Sequence, residues 1–156
     1  MCGIAGFIIN KESSFNHDDI IRNMTRELIN RGPDDEGYWK NDNNTQFLGH
    51  RRLTILELSK KGSQPMFSKN KRYIISYNGE IYNHNFIREK LNKEFDCNWE
   101  SNSDTETLLF TIEKYGIKKS LEIFNGMFAF AIIDRLKKKL YLARDVNGEK
   151  PLYYGF

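Results

Sequence analysis

A chain of 156 residues and 18.4 kDa, 39% hydrophobic and 13% aromatic, carries enough apolar bulk for one globular core, which excludes disorder over most of its length. The 24 Lys and Arg against 21 Asp and Glu leave a net charge of +3, and the basic clusters (Lys60-Lys61, Lys69 to Arg72, Lys118-Lys119, Arg135 to Lys139) are scattered in turns, which argues against a nucleic-acid partner. Two cysteines, Cys2 and Cys97, exclude a disulfide scaffold, three histidines with no Cys/His spacing argue against a metal site, and no run approaches the roughly 18 apolar residues of a membrane span.

The N-terminus, MCGIAGFII, lacks the basic segment of a secretory signal, so the expected compartment is the cytoplasm. Gly3 to Ile9 reads as a buried strand. Asn16 opens a helix whose apolar positions Ile20, Ile21, Met24, Leu28 and Ile29 run until Arg31-Gly32-Pro33 stops it. Strands are expected over Gly37 to Lys40, Gln46 to Leu56 and Arg72 to Tyr77, the last followed at once by Asn78-Gly79. Asn85 to Glu94 carries Phe86, Ile87 and Leu91 at helical spacing, and Cys97 falls in an expected strand. Ser103-Asp104-Thr105-Glu106 has the pattern of a capping box opening a helix through Tyr115, with Gly116 at its end. A short helix over Ile117 to Phe124, strands over Met127 to Asp134 and Leu140 to Arg144, and an extended piece from Pro151 to Phe156 complete the chain. Strands linked at hairpin length with a few helices point to an α+β or layered sandwich of mostly antiparallel sheets.

A small residue behind the initiator methionine is usually uncovered by methionine removal, which would make Cys2 the N-terminus. Its thiolate would be the nucleophile and its α-amine, with a pKa near ~7.7–8.0, the general base. Asn78-Gly79 fits a type I′ hairpin turn, and equally an amide and a backbone N–H paired as oxyanion donors. Asp104 suits a helix N-terminus, and equally a substrate ammonium. Alternation along the strand puts Arg52 on the face of His50 and Thr54, and Arg51 on the face of Phe47, Leu53 and Ile55. Arg52 is therefore the better candidate to grip a carboxylate in a cleft. Together these groups suit an α-amino acid bearing a side-chain amide.

Seven collinear strings carry a resemblance: MCGIAG, RGPDDEG at 31–37, GHRRLTILELSKKGSQPM at 49–66, YNGEIYNH at 77–84, SDTETLL at 103–109, NGMFAFAIID at 125–134 and ARDVNGEKPLYYG at 143–155. They resemble the class II glutamine amidotransferases, and most of all the glutaminase domain of glutamine-hydrolysing asparagine synthetases. The resemblance implies a four-layer α-β-β-α sandwich of the N-terminal nucleophile hydrolase type, with 1–156 forming a glutaminase domain that is truncated at its C-terminal end. It implies hydrolysis of L-glutamine to glutamate and ammonia through a thioester on Cys2, the ammonia going to an ATP-dependent synthetase domain or subunit.

By motif, the resemblance makes Asn78 and Gly79 the oxyanion hole and gives the glutamine-binding stretch Arg52, Leu53, Thr54, Ile55 and Leu56. Glu80 and Asp104 would hold the substrate amino end. Residues 31–37 are read as a turn shaping the pocket rim. Asn30 stands where a histidine is common, and Val146-Asn147 where an arginine often follows. No pyrophosphate-loop motif is present in the chain, so no cofactor is expected in this domain, ATP and Mg belonging to the synthetase domain. No membrane partner is expected, and a homodimer is compatible with the resemblance. The alternative is a catalytically silent regulatory or assembly module that retains Met1. An N-terminal nucleophile hydrolase for another amide is disfavoured by Arg52 with Asp104, which specify a free amino acid.

Overall fold

A computed structural model describes residues 1–10 and 14–156. Strand β1 (Gly3–Ile8) leads to helix α1 (His17–Arg26), then β2 (Asp35–Lys40) and β3 (Gln46–Arg52). A short 3-10 turn, Lys60–Gly62, and β4 (Met66–Phe67) precede β5 (Tyr73–Ile81). Helices α2 (His84–Glu94), α3 (Asp104–Tyr115) and α4 (Ile117–Ile123) follow, then β6 (Gly126–Asp134) and β7 (Lys139–Arg144). Among the described residues no helix is long and apolar enough to cross a membrane.

Two antiparallel sheets form, ordered β1-β3-β2 and β4-β5-β6-β7. Helix α1 lies on the first sheet, α3 on β5 of the second, and β1 and β3 meet β5 between them. The result is the expected four-layer α-β-β-α sandwich. Its main core lies between the second sheet and the helices, where Ile75, Ile81, Leu91, Leu108, Ile112 and Phe130 are fully buried. Each such side chain contributes about 1.5–3 kcal/mol by leaving water.

The space between the sheets is different. Its apolar cluster is small (Leu48, Ile74 and Ile133), and polar bonds cross beside it. Ser76 Oγ donates to the Gly49 carbonyl (2.9 Å), and His50 Nε2 meets the Tyr77 carbonyl (3.0 Å). Buried polar groups need such partners, so this layer fixes the registration of the two sheets.

Several expectations are corrected. The strand expected over Gln46 to Leu56 ends at Arg52, because the next amides bond elsewhere: Leu53 N to the Cys2 sulfur, Thr54 N to Asp34. Helix α1 ends at Arg26, leaving Leu28 and Ile29 in the turns that follow. Cys97 lies outside any strand, as does Pro151 to Phe156, which pairs with no strand among the described residues. The reciprocal capping box is absent. Ser103 caps Thr105 N, and the Glu106 carboxylate turns away to collect the Glu100 and Ser101 amides.

Asn78-Gly79 is not a turn. Strand β5 runs straight through both residues, pairing Asn78 with Ala129 and Gly79 with Phe128. Neither residue has the positive φ that a type I′ turn requires; those values fall at the real turn positions Asn44, Lys71 and Lys138. Glycine is needed at 79 for space, since a Cβ there would lie 2.3 Å from the Met127 carbonyl oxygen.

Candidate active site

Cys2 sits one residue before β1, whose first pair is Gly3 with Arg51 of β3. That register sets the thiol against the chain leaving β3. Its sulfur accepts from Leu53 N (3.4 Å) and lies 3.7 Å from the Leu53 carbonyl. The Cys2 carbonyl accepts from Arg31 Nε at 3.1 Å. Burial pushes the thiol pKa up, opposed by the Leu53 hydrogen bond, the terminal ammonium and Arg52.

Around the thiol opens a cleft lined by Arg52, Leu53, Ile55, Leu56, Asn78, Gly79, Glu80 and Asp104. Thr54 is the exception: its amide is tied to Asp34 (2.7 Å), and the residue does not line the cleft. The two adjacent arginines part as alternation requires. Arg51 is buried and structural, donating to the Gly32 carbonyl (2.8 Å) and Glu36 (2.7 Å). Arg52 reaches the cleft, braced by the Ser59 carbonyl (2.9 Å) and by that of Glu57. Two of its five N–H groups are used there and the remainder are available to a carboxylate.

The rim segment that braces Arg52 is itself anchored. Glu57 accepts from the Ser59 hydroxyl (2.7 Å) and from Asn102 N (2.9 Å), and these bonds hold its carboxyl pKa down at about 2.

The edge of β5 positions the two groups expected to form an oxyanion pair. Strand β4 covers only Ile74 and Ile75, so beyond them one edge of β5 has no strand beside it. In an antiparallel ladder alternate residues point their N–H off that edge: here Tyr77, Gly79 and Ile81. Gln64 Oε1 accepts from Tyr77 N (2.7 Å), and Asp104 Oδ2 accepts from Ile81 N (3.0 Å). Gly79 N–H, between them, has no protein acceptor among the described residues. Its cross-strand neighbour Phe128 bonds instead to Asp145 on its far side, as a non-hydrogen-bonded pair requires. The Asn78 carboxamide is 4% exposed, lines the cleft and makes no hydrogen bond among the described residues. Two donors therefore stand open side by side.

Asp104 is only 6% exposed. Its Oδ2 is taken by Tyr77 Oη (2.7 Å) and Ile81 N, which leaves Oδ1 for the cleft. Burial, then the nearby carboxylate, push Tyr77 far above its usual pKa, so it stays a donor to Asp104. Burial drives His50, behind the site, down to about 4, and its Nδ1 has no hydrogen-bond partner among the described residues.

Sequence reasoning missed Gln64, Tyr77, Arg31 and Lys150. Each sits inside a recognised string, but its role depends on a partner far along the chain. Residues 31–37 do more than shape the rim, since Arg31 holds the Cys2 backbone and Asp34 holds Thr54.

The chain belongs to the glutamine amidotransferase domain family, whose pattern matches residues 1–156. Among its relatives, asparagine synthetase [glutamine-hydrolyzing] 1 of Bacillus subtilis is 38% identical over 99% of this chain. Putative asparagine synthetase [glutamine-hydrolyzing] 2 of Methanocaldococcus jannaschii is 40% identical over 99%. Asparagine synthetase B of Escherichia coli is 33% identical over all of it. The chain spans 24% to 32% of the length of these three relatives. Among solved structures, a glutamine phosphoribosylpyrophosphate amidotransferase from B. subtilis matches 67% of the chain and 24% of its own length, at 25% identity and a TM-score of 0.56.

Proposed function

We propose that this domain hydrolyses L-glutamine to L-glutamate and ammonia, and that the ammonia is delivered to an ATP-dependent synthetase domain or subunit of the asparagine synthetase kind. The carrying observation is the convergence, on one cleft, of Cys2, two unpaired donors on β5, a braced arginine and an aspartate with one free oxygen.

The chemistry requires removal of Met1, because a peptide-bonded nitrogen is not a base. The freed α-amine takes the thiol proton, and the sulfur attacks the glutamine Cδ. The Asn78 amide and Gly79 N–H stabilise the oxyanion. On collapse the C–N bond breaks, the proton passes from the amine to departing ammonia, and a γ-glutamyl thioester remains. Water, deprotonated by the same amine, cleaves the thioester and restores the thiol. Arg52 holds the α-carboxylate, Asp104 with Glu80 holds the α-ammonium, and Leu53, Ile55 and Leu56 wall the substrate. No cofactor enters this scheme; ATP and Mg belong to the synthetase step. A chain that keeps Met1 fits the second reading, a silent regulatory or assembly module, because the Met1 side chain lines the cleft.

Calorimetric titration of L-glutamine into Cys2→Ala, with and without Arg52→Ala, tests the binding half. A charge-assisted carboxylate contact contributes roughly 1.5–3 kcal/mol, so Arg52→Ala should weaken binding about ten- to a hundred-fold. Glutamine binding that survives Arg52→Ala unchanged would contradict the assignment.

A further inference from the structure

Lys150 is 4% exposed, lines the same cleft as Cys2 and takes part in no ion pair among the described residues. Among the described residues the only hydrogen-bond partners of its ammonium are the thioether sulfurs of Met1 (2.7 Å) and Met127 (2.8 Å). The placement is built, not incidental. Asp145, just past β7, gathers the amides of Phe128 (3.1 Å), Glu149 (2.9 Å) and Lys150 (3.1 Å) on its carboxylate. Gly148, at a φ of +68°, closes the turn, and the turn lays Lys150 over the start of β6. An uncompensated buried cation is costly unless an anion or a developing charge answers it.

Met1 is the contact that removal of the initiator methionine would take away. Its sulfur touches Lys150 and its carbonyl carbon is bonded to the Cys2 nitrogen, so that nitrogen lies within one methionine side chain of the ammonium. We propose that Lys150 is a positioning residue for the nucleophile: removal of Met1 uncovers its ammonium beside Cys2, where it favours the neutral amine and the thiolate over their protonated forms. A positive charge does both by simple repulsion of a proton.

The other charged and titratable groups facing this space are Glu80 and Tyr77 on β5, Asp104 on α3, Arg52 at the end of β3 and Glu57 on the segment after it, with Arg31 on the Cys2 carbonyl. Met127, from β6, is neutral. The carboxylates favour protonated Cys2, so a cation opposite them has a defined task.

The role in turnover rests on the glutaminase reading, but the first readout does not. Chain lacking Met1, verified by intact mass, is alkylated with iodoacetamide across pH 6 to 10, and the thiolate profile of Cys2 is followed by peptide mass. Lys150→Met places a second thioether beside that of Met127 and removes the charge; Lys150→Arg keeps the charge. The expected result is a Cys2 profile displaced upward by about one pH unit in Lys150→Met, with Lys150→Arg close to wild type. The acid limb of kcat/KM for glutamine should shift in parallel. Identical alkylation profiles for wild type and Lys150→Met would overturn the proposal, as would equal shifts in both variants, which would mark a packing role. If glutamine is not hydrolysed at all while the alkylation shift is present, the glutaminase reading fails and the coupling of Lys150 to Cys2 stands.

Discussion

At the scale of single residues, the site depends on what the backbone leaves unpaired. Asn78 faces the other sheet from an otherwise paired strand, and Gly79 N–H points off an edge whose neighbouring N–H groups are both capped. An amide that served only packing would be expected to bond the protein; this one makes no such bond among the described residues. Asn78→Ala is therefore predicted to lower kcat by about a hundred- to a thousand-fold, the loss of one preorganised oxyanion donor, with a much smaller change in KM. Steady-state ammonia release by chain lacking Met1 measures this. A variant that turns over near the wild-type rate would reduce Asn78 to a strand residue. Alanine is the cleaner substitution here, since Asp would add a buried carboxylate with no donor beside it.

At the scale of elements, β5 was half legible. Its alternation and the composition of YNGEIYNH marked a strand and a donor pair, but Asn-Gly also spelled a turn. What decided against the turn was nine residues of pairing with β6, a long-range fact. Helices α2 and α3 were legible because their apolar spacing and ends are local; Asp104 was found from its place at a helix start, while its burial by Tyr77 could not be read locally. The Arg51/Arg52 distinction followed from period two alone. Gln64 escaped because its role is to stand in for a missing strand, accepting from Tyr77 N where β4 no longer reaches. Gln64→Leu keeps the bulk but leaves that buried N–H without an acceptor. The predicted loss is about 1–3 kcal/mol, a Tm lower by several degrees, together with weaker glutamine binding as the β5 edge shifts. Thermal melting and calorimetry check it, and an unchanged Tm would mean that Gln64 does not hold the edge.

At the scale of the whole molecule, two sheets meet through a thin layer in which His50 bonds the Tyr77 carbonyl and stays neutral. Burial lowers its pKa from 6.5 to about 4, so the unfolded chain takes up a proton before the folded one does. Stability from this group is complete above pH 6.5 and falls away as pH drops towards 4, by up to about 3 kcal/mol. His84, also lowered by burial, adds in the same direction. The depressed carboxyls of Glu57, Asp134 and Asp145 lose their contributions at lower pH. The urea midpoint should therefore drop between pH 6.5 and 5, and drop less in His50→Gln; a flat wild-type profile would contradict the sheet-bridging role. The same convergence of sheets brings Cys2 from one and the donor pair from the other to a single cleft, and the central claim is that this cleft cleaves glutamine. The most direct measurement is ammonia release from L-glutamine by chain shown by intact mass to lack Met1, beside Cys2→Ala and Cys97→Ser. The account predicts turnover in wild type and Cys97→Ser and none in Cys2→Ala; substantial ammonia release by Cys2→Ala would contradict it.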